Sequence, residues 1–196
     1  MNIVLQGRQL NFIQIPLYFQ NHGIVNLFAS KNNKTLAETL KSRRYTGLSS
    51  ETYRLYPNSL NTRLGIFLLD LKSNGDNFYL HFLNRYGDKV YCAFSIKSTS
   101  LSRSKGVYSF SIDNELKYLG RSHESFEKRL NQGYGHISPK NCFLDGQCTN
   151  CHLNSLIAQN YPSVSFYVFP LEDDSVINRL EKLLISSYKP AWNVQF

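Results

Sequence analysis

Apolar and polar positions alternate along this chain in short runs, with no fixed long period. Three runs, Leu64–Leu71, Phe78–Asn84 and Val90–Ile96, are separated by Ser73-Asn74-Gly75-Asp76 and Arg85-Tyr86-Gly87-Asp88. Both separators are rich in turn residues, and the spacing predicts an antiparallel β-meander. Before it, Thr35–Arg44 has Leu36 and Leu40 four apart, followed by Lys41, Arg43 and Arg44, which reads as a short amphipathic helix ending in a basic cluster. The first thirty residues favour no single element, apart from a turn at Asn21-His22-Gly23.

Further on, Gly106–Ile112 and Leu116–Gly120 read as two strands joined by a turn at Asp113-Asn114-Glu115. Ser122 is suited to cap a helix that ends at Gly133 and carries Phe126 and Leu130 on one face. A polar loop over Tyr134–Cys151, a helix near Leu153–Gln159 and a strand over Val164–Phe169 follow. The last helix opens at Asp174 or Ser175 and is closed by Pro190. In it Ile177, Leu180, Leu184 and Tyr188 keep a three-four spacing and form an apolar stripe. The expected fold is therefore α+β, a small, mainly antiparallel sheet flanked by helices.

Charge divides the chain. Residues 1–104 hold 13 Lys and Arg against 5 Asp and Glu, whereas residues 105–196 hold 9 of each. The Ser-rich, basic stretch Lys97–Lys105 coincides with the break. Two regions are expected, 1–104 and 105–196. The first suits a polyanion, because each neutralised phosphate releases condensed counterions. Lys41, Arg43 and Arg44 are its candidate phosphate contacts, and so its DNA contacts if the polyanion is DNA. No run approaches the roughly 18 apolar residues of a membrane span, and the N-terminus lacks a basic-then-apolar leader pattern. A cytoplasmic protein with reduced thiols and no membrane partner is expected.

Glu181 lies four residues after Ile177 and three before Leu184, on the apolar stripe. A carboxylate there needs compensation, and a metal ion is one such partner. The four cysteines raise a separate question. Cys148-Thr149-Asn150-Cys151-His152 spells a c-type haem attachment pattern, but that attachment occurs outside the cytosol and no second axial ligand stands out. Cys142, Cys148, Cys151 and His152 are four zinc-type donors, although adjacent Cys151 and His152 suit one ion poorly. Free thiols in a loop lining the cleft of the polyanion is the simpler reading.

Gly106-Val107-Tyr108 and, ten residues on from tyrosine to tyrosine, Tyr118-Leu119-Gly120 resemble the two signature triplets of the GIY-YIG nucleases. Arg129, nine residues after Gly120, falls where that family has its catalytic arginine. The closing stretch from Glu181 through Pro190 to Asn193 is similar to its final motif. The resemblance covers about 90 residues and leaves residues 1–104 unaddressed. It implies a metal-dependent endonuclease acting on double-stranded DNA, with a sequence-specific restriction enzyme as first expectation. Repair, recombination or homing nucleases of the same type are the alternative, and a non-catalytic DNA-binding module on a nuclease scaffold is the second. A homodimer is compatible with any of these.

On the family pattern Glu181 holds one divalent ion, Mg²⁺ or Mn²⁺, per site. Tyr108 activates the water, Tyr118 orders it or shares the proton, Arg129 neutralises the phosphorane, and Asn193 completes the catalytic set. Relatives carry a His four residues after the arginine; here that position is Gly133, and Tyr134 or His136 must stand in. His136 is preferred as the proton carrier, because a free imidazole has a pKa near 6.5. Shared action by the tyrosines requires that Tyr108 and Tyr118 share a sheet face. A two-residue loop at Asp113-Asn114 would put them on opposite faces; a three-residue turn centred on Asp113 puts 108 opposite 118 and is expected, because Asn114 tolerates the left-handed conformation such a turn wants near its end.

Overall fold

The computed structural model describes residues 1–194. In chain order its strands and helices are β1 (Asn2–Leu5), β2 (Arg8–Asn11), β3 (Ile13–Ile15), β4 (Tyr18–Ile24), α1 (Leu36–Leu40), α2 (Ser49–Leu55), α3 (Leu64–Ser73), β5 (Tyr91–Ser95), β6 (Gly106–Ile112), β7 (Glu115–Ser122), α4 (Phe126–Arg129), α5 (Cys148–Gln159), β8 (Val164–Pro170) and α6 (Asp174–Tyr188). Antiparallel sheets and helices together give the α+β class that the patterning predicts.

The chain gathers into two compact units, and neither is a half of the sequence. The first comprises Met1–His22, Cys92–His136 and the chain from Leu156 onward; the second comprises Gly23–Tyr91 and Ile137–Ser155. This differs from the division at residue 104 drawn from the charge break. The reason is that β3 is an edge strand of the same sheet as β6, β7 and β8, and hydrogen bonding ignores where the charges lie. Sorted by unit, the first has eleven basic and eight acidic residues and the second eleven and six, so the positive excess is shared.

In the first unit the sheet order is β3-β8-β6-β7, with β8 bonded on both sides. Val107, Leu119 and Tyr167 form one face, covered by Ile177 and Leu184 of α6 and extended by Ile3 and Phe12. Asp173 caps α6 by accepting from the backbone N–H of Ser175 and Val176. Left-handed Lys189 and then Pro190 end it. Tyr188, the last member of the expected stripe, is half-exposed and hydrogen-bonds the Val4 backbone of β1.

The expected meander does not form. Leu64–Ser73 is a helix, Asn77–Phe82 is a 3₁₀ helix, and only Tyr91–Ser95 of the third run is a strand. Leu64, Phe67, Leu68 and Leu71 are buried, and their spacing of three, four and seven is that of one helical face. They join Phe28, Leu36, Tyr45 and Phe82 in the core of the second unit. Thr35 and Glu38 form a reciprocal capping box on α1, which stops at Leu40 and leaves Lys41, Arg43 and Arg44 exposed in the turn beyond it.

Candidate active site

The site is built on the β6–β7 hairpin. Asp113 and Asn114 both adopt positive φ, 48° and 66°, so the loop has two residues and Ile112 pairs with Glu115. That is the even-length turn, contrary to the three-residue turn expected. A bulge then restores the parity. Ser111 pairs with Leu116 but Phe110 with Tyr118, leaving Lys117 as the extra residue. Tyr108 consequently faces Gly120, and Tyr108, Phe110 and Tyr118 project from one side of the sheet. The Tyr108 and Tyr118 rings lie 6.2 Å apart at 28°.

The segment after the hairpin supplies the cation. Ser125, three residues beyond the expected Ser122, caps α4 through its side chain, and α4 passes into a π-helical turn over Leu130–Tyr134. The wider turn brings Tyr134, five residues on, back to Arg129. The Tyr134 hydroxyl lies 2.9 Å from that of Tyr108 and 3.3 Å from that of Tyr118. Arg129 donates from Nε to the Tyr108 hydroxyl at 3.3 Å and from Nη2 to that of Tyr134 at 2.5 Å. Three phenols and one guanidinium thus form a single network. Burial, reinforced by the neighbouring phenols, pushes Tyr108 well above the ordinary phenol range despite Arg129, and burial does the same to Tyr118. Both are neutral hydrogen-bonding groups at physiological pH. They can orient a water or a phosphate oxygen but are poor proton acceptors.

On the other face, Arg121 follows Gly120 and reaches α6, where its Nη1 donates to Oε2 of Glu181. The Glu181 side chain is only 12% exposed, so the stripe does bury most of the carboxylate, and Arg121 supplies its compensating charge. Tyr108, Tyr118, Arg129 and Glu181 line one open cavity of about 380 Å³, together with Arg121, Ser122, His123 and Glu124.

A hard divalent cation of the magnesium type needs one or two carboxylates and keeps several waters. Glu181 is the buried carboxylate facing that cavity. Among the described residues no cluster of three or more His, Cys, Asp or Glu has metal-binding geometry.

Other expected site residues lie elsewhere. His136 is exposed and does not line the cavity; Tyr134 sits beside Arg129 instead. Asn193 accepts from Leu119 N–H at 3.0 Å and donates to Leu119 O at 2.8 Å, closing the β7 edge as a strand partner would. The exposed Lys41, Arg43 and Arg44 belong to the second unit. So do Cys142 and Cys151, which are not loop thiols in a cleft: both are buried in its core, with the Cys142 thiol 3.8 Å from the Tyr91 hydroxyl. Cys148 is exposed, and the His152 ring packs on Tyr86.

The sequence reading missed Arg121 and His123. Arg121 adjoins the second triplet, and its position opposite Val107 could have pointed to α6. No protein-family model, curated protein or solved structure matches the chain.

Proposed function

We propose that this chain is a metal-dependent DNA endonuclease of the GIY-YIG type, with a sequence-specific restriction enzyme as the form it takes. One observation carries the reading. Tyr108, Tyr118, Arg129 and Glu181, which come from two strands and two helices, line the same cavity. Phosphodiester hydrolysis needs charge stabilisation, an oriented water and a Lewis acid. Arg129 presents a planar fork that suits two phosphate oxygens at once. Tyr108 and Tyr118 hold hydroxyls at fixed positions beside it. Glu181 would hold the Mg²⁺ or Mn²⁺, which when bound polarises the phosphate. The exposed Lys41, Arg43 and Arg44 offer the duplex backbone a basic surface. Cleavage of both strands calls for two such sites, which a homodimer would provide.

The ion pair between Arg121 and Glu181 favours a second reading, a DNA-binding module whose carboxylate serves only the fold. One experiment separates the two. Supercoiled plasmid and unmodified genomic DNA are incubated with the protein and Mg²⁺ or Mn²⁺. The nuclease reading expects nicking or discrete fragments, lost in Glu181→Ala while DNA binding in Ca²⁺ persists. Binding without cleavage under any of these conditions would establish the second reading instead.

A further inference from the structure

We infer that His123, oriented by Asp174, is the group that takes the proton from the attacking water in this cavity. The inference rests on the nuclease reading above and names a catalytic base that the signature residues do not supply.

The proton must leave the water as the new phosphorus–oxygen bond forms. Tyr108 and Tyr118 are buried phenols committed to the Tyr134 hydroxyl. The two carboxylates of the cavity wall are both paired. Glu181 accepts from Arg121, and Glu124 accepts from Lys128 Nζ at 2.5 Å. His123 is the remaining cavity-lining residue with a basic lone pair.

Its orientation is set from α6. The Nδ1 atom lies 3.3 Å from Oδ1 of Asp174, the first residue of that helix, and the same oxygen accepts from Lys105 Nζ at 2.7 Å. A carboxylate at a helix N-terminus is favourably placed, and Lys105 and His123 hold Asp174 below its usual carboxylate range, so it stays charged. Asp174 opposite Nδ1 selects the tautomer with its proton there. Nε2 is then the free acceptor, the same logic by which a carboxylate orients a catalytic histidine in hydrolases. Asp174 contacts the ring, Lys105 shares its carboxylate, and Glu124, Arg121, Glu181 and Arg129 line the same cavity.

The step balances as follows. Water oxygen bonds to phosphorus and one of its protons passes to Nε2, while Nδ1–H stays with Asp174. The bond from phosphorus to the leaving sugar oxygen breaks, and that oxygen takes a proton from solvent. The imidazolium releases its proton to solvent before the next turnover. The products are a phosphate monoester end and a hydroxyl end.

The test compares wild type with His123→Ala, His123→Gly and Asp174→Asn on plasmid DNA across pH, with NMR assignment of the His123 ring tautomer in metal-free protein. His123→Ala is expected to lose on the order of 10²-fold or more in kcat with little change in KM. It should also lose the acid limb of the pH profile, and added imidazole should restore activity to His123→Gly. Asp174→Asn removes the charged acceptor that holds the proton on Nδ1, so the ring-nitrogen signals should show a mixture of tautomers and kcat should fall. His123 is exposed, so loss of folding is not expected. Cleavage by wild type that survives in His123→Ala within a factor of about three, acid limb intact, would overturn this inference alone. An unchanged Nδ1–H tautomer in Asp174→Asn would overturn the orienting role. Absence of cleavage by wild type removes the nuclease reading, and this inference with it.

Discussion

Gly120 lies directly across the β6–β7 ladder from Tyr108, and a methyl group on it would stand 2.6 Å from both Cζ and the hydroxyl oxygen of that tyrosine. It would also meet Cε1 of Tyr118 at 2.8 Å. The glycine of the second triplet therefore has a steric cause, since two rings close over its Cα. Gly120→Ala is expected to displace Tyr108 and break its bonds to Tyr134 and Arg129. We expect a stability loss of about 1–3 kcal/mol, as for overpacking elsewhere, and loss of most cleavage. A variant with unchanged melting temperature and activity would show that the rings do not need this close approach.

Arg129 touches two of the three phenols and also lies with its Cζ 4.4 Å from the centroid of the Tyr134 ring. Lysine can reproduce the charge but neither the fork nor the stacking. Arg129→Lys should lower cleavage on the order of 10²-fold or more, in line with loss of a charge-stabilising donor. Single-turnover rates measure this, and a Lys variant within a factor of about three of wild type would rule out the role.

The buried phenols make the fold sensitive to alkali. Their folded pKa values lie above the unfolded value near 10. Above about pH 10 the unfolded chain releases protons that the native state keeps, so stability falls as pH rises. Below that pH the contribution is fully present. Melting temperature should decline through this range, and Tyr108→Phe should flatten the decline. Phenolate absorbance of the folded protein should show Tyr108 and Tyr118 un-ionised until unfolding. Ionisation of either while the fold persists would contradict the assignment of neutral phenols.

For DNA affinity, a truncation at residue 104 is the wrong experiment. It would remove β3 from the sheet and Ile3 and Phe12 from the core beneath α6. Replacing Lys41, Arg43 and Arg44 with Ser alters only exposed side chains. The salt dependence of DNA binding should become shallower by about 0.9 in logarithmic slope for each phosphate that the protein then fails to neutralise. An unchanged slope would show that the cluster does not meet the phosphates.

What the sequence made legible follows from which interactions are local. The β6–β7 hairpin, β8 and α6 are visible because alternation and three-four spacing extend over whole elements. Leu64–Leu71 misled because a short run that is apolar almost throughout carries both periods, and only its burial chooses the helical one. The shared face of Tyr108 and Tyr118 was expected for the wrong reason. The loop has two residues, and the bulge at Lys117 supplies the missing step. The place of Asn193 in the chain suggested a catalytic group, but its backbone clamp on Leu119 depends on a strand edge that no local pattern reveals. His123 and Asp174 are 51 residues apart in sequence, and only the packing of α6 brings them together.

The central position of β8 governs the order in which this protein can fold. β3 and β6 are each bonded to β8, and β8 is translated after both. Until Val164–Pro170 leaves the ribosome, β3 has no sheet partner and one edge of β6 is open. At the usual pace of synthesis that wait lasts on the order of several seconds. During it the apolar face around Val107 and Leu119 has only its own hairpin and lacks both β8 and the cover of α6. A nascent chain in this condition exposes the kind of apolar surface that chaperones bind, and its sheet assembles as a late, long-range closure rather than as a growing series of hairpins.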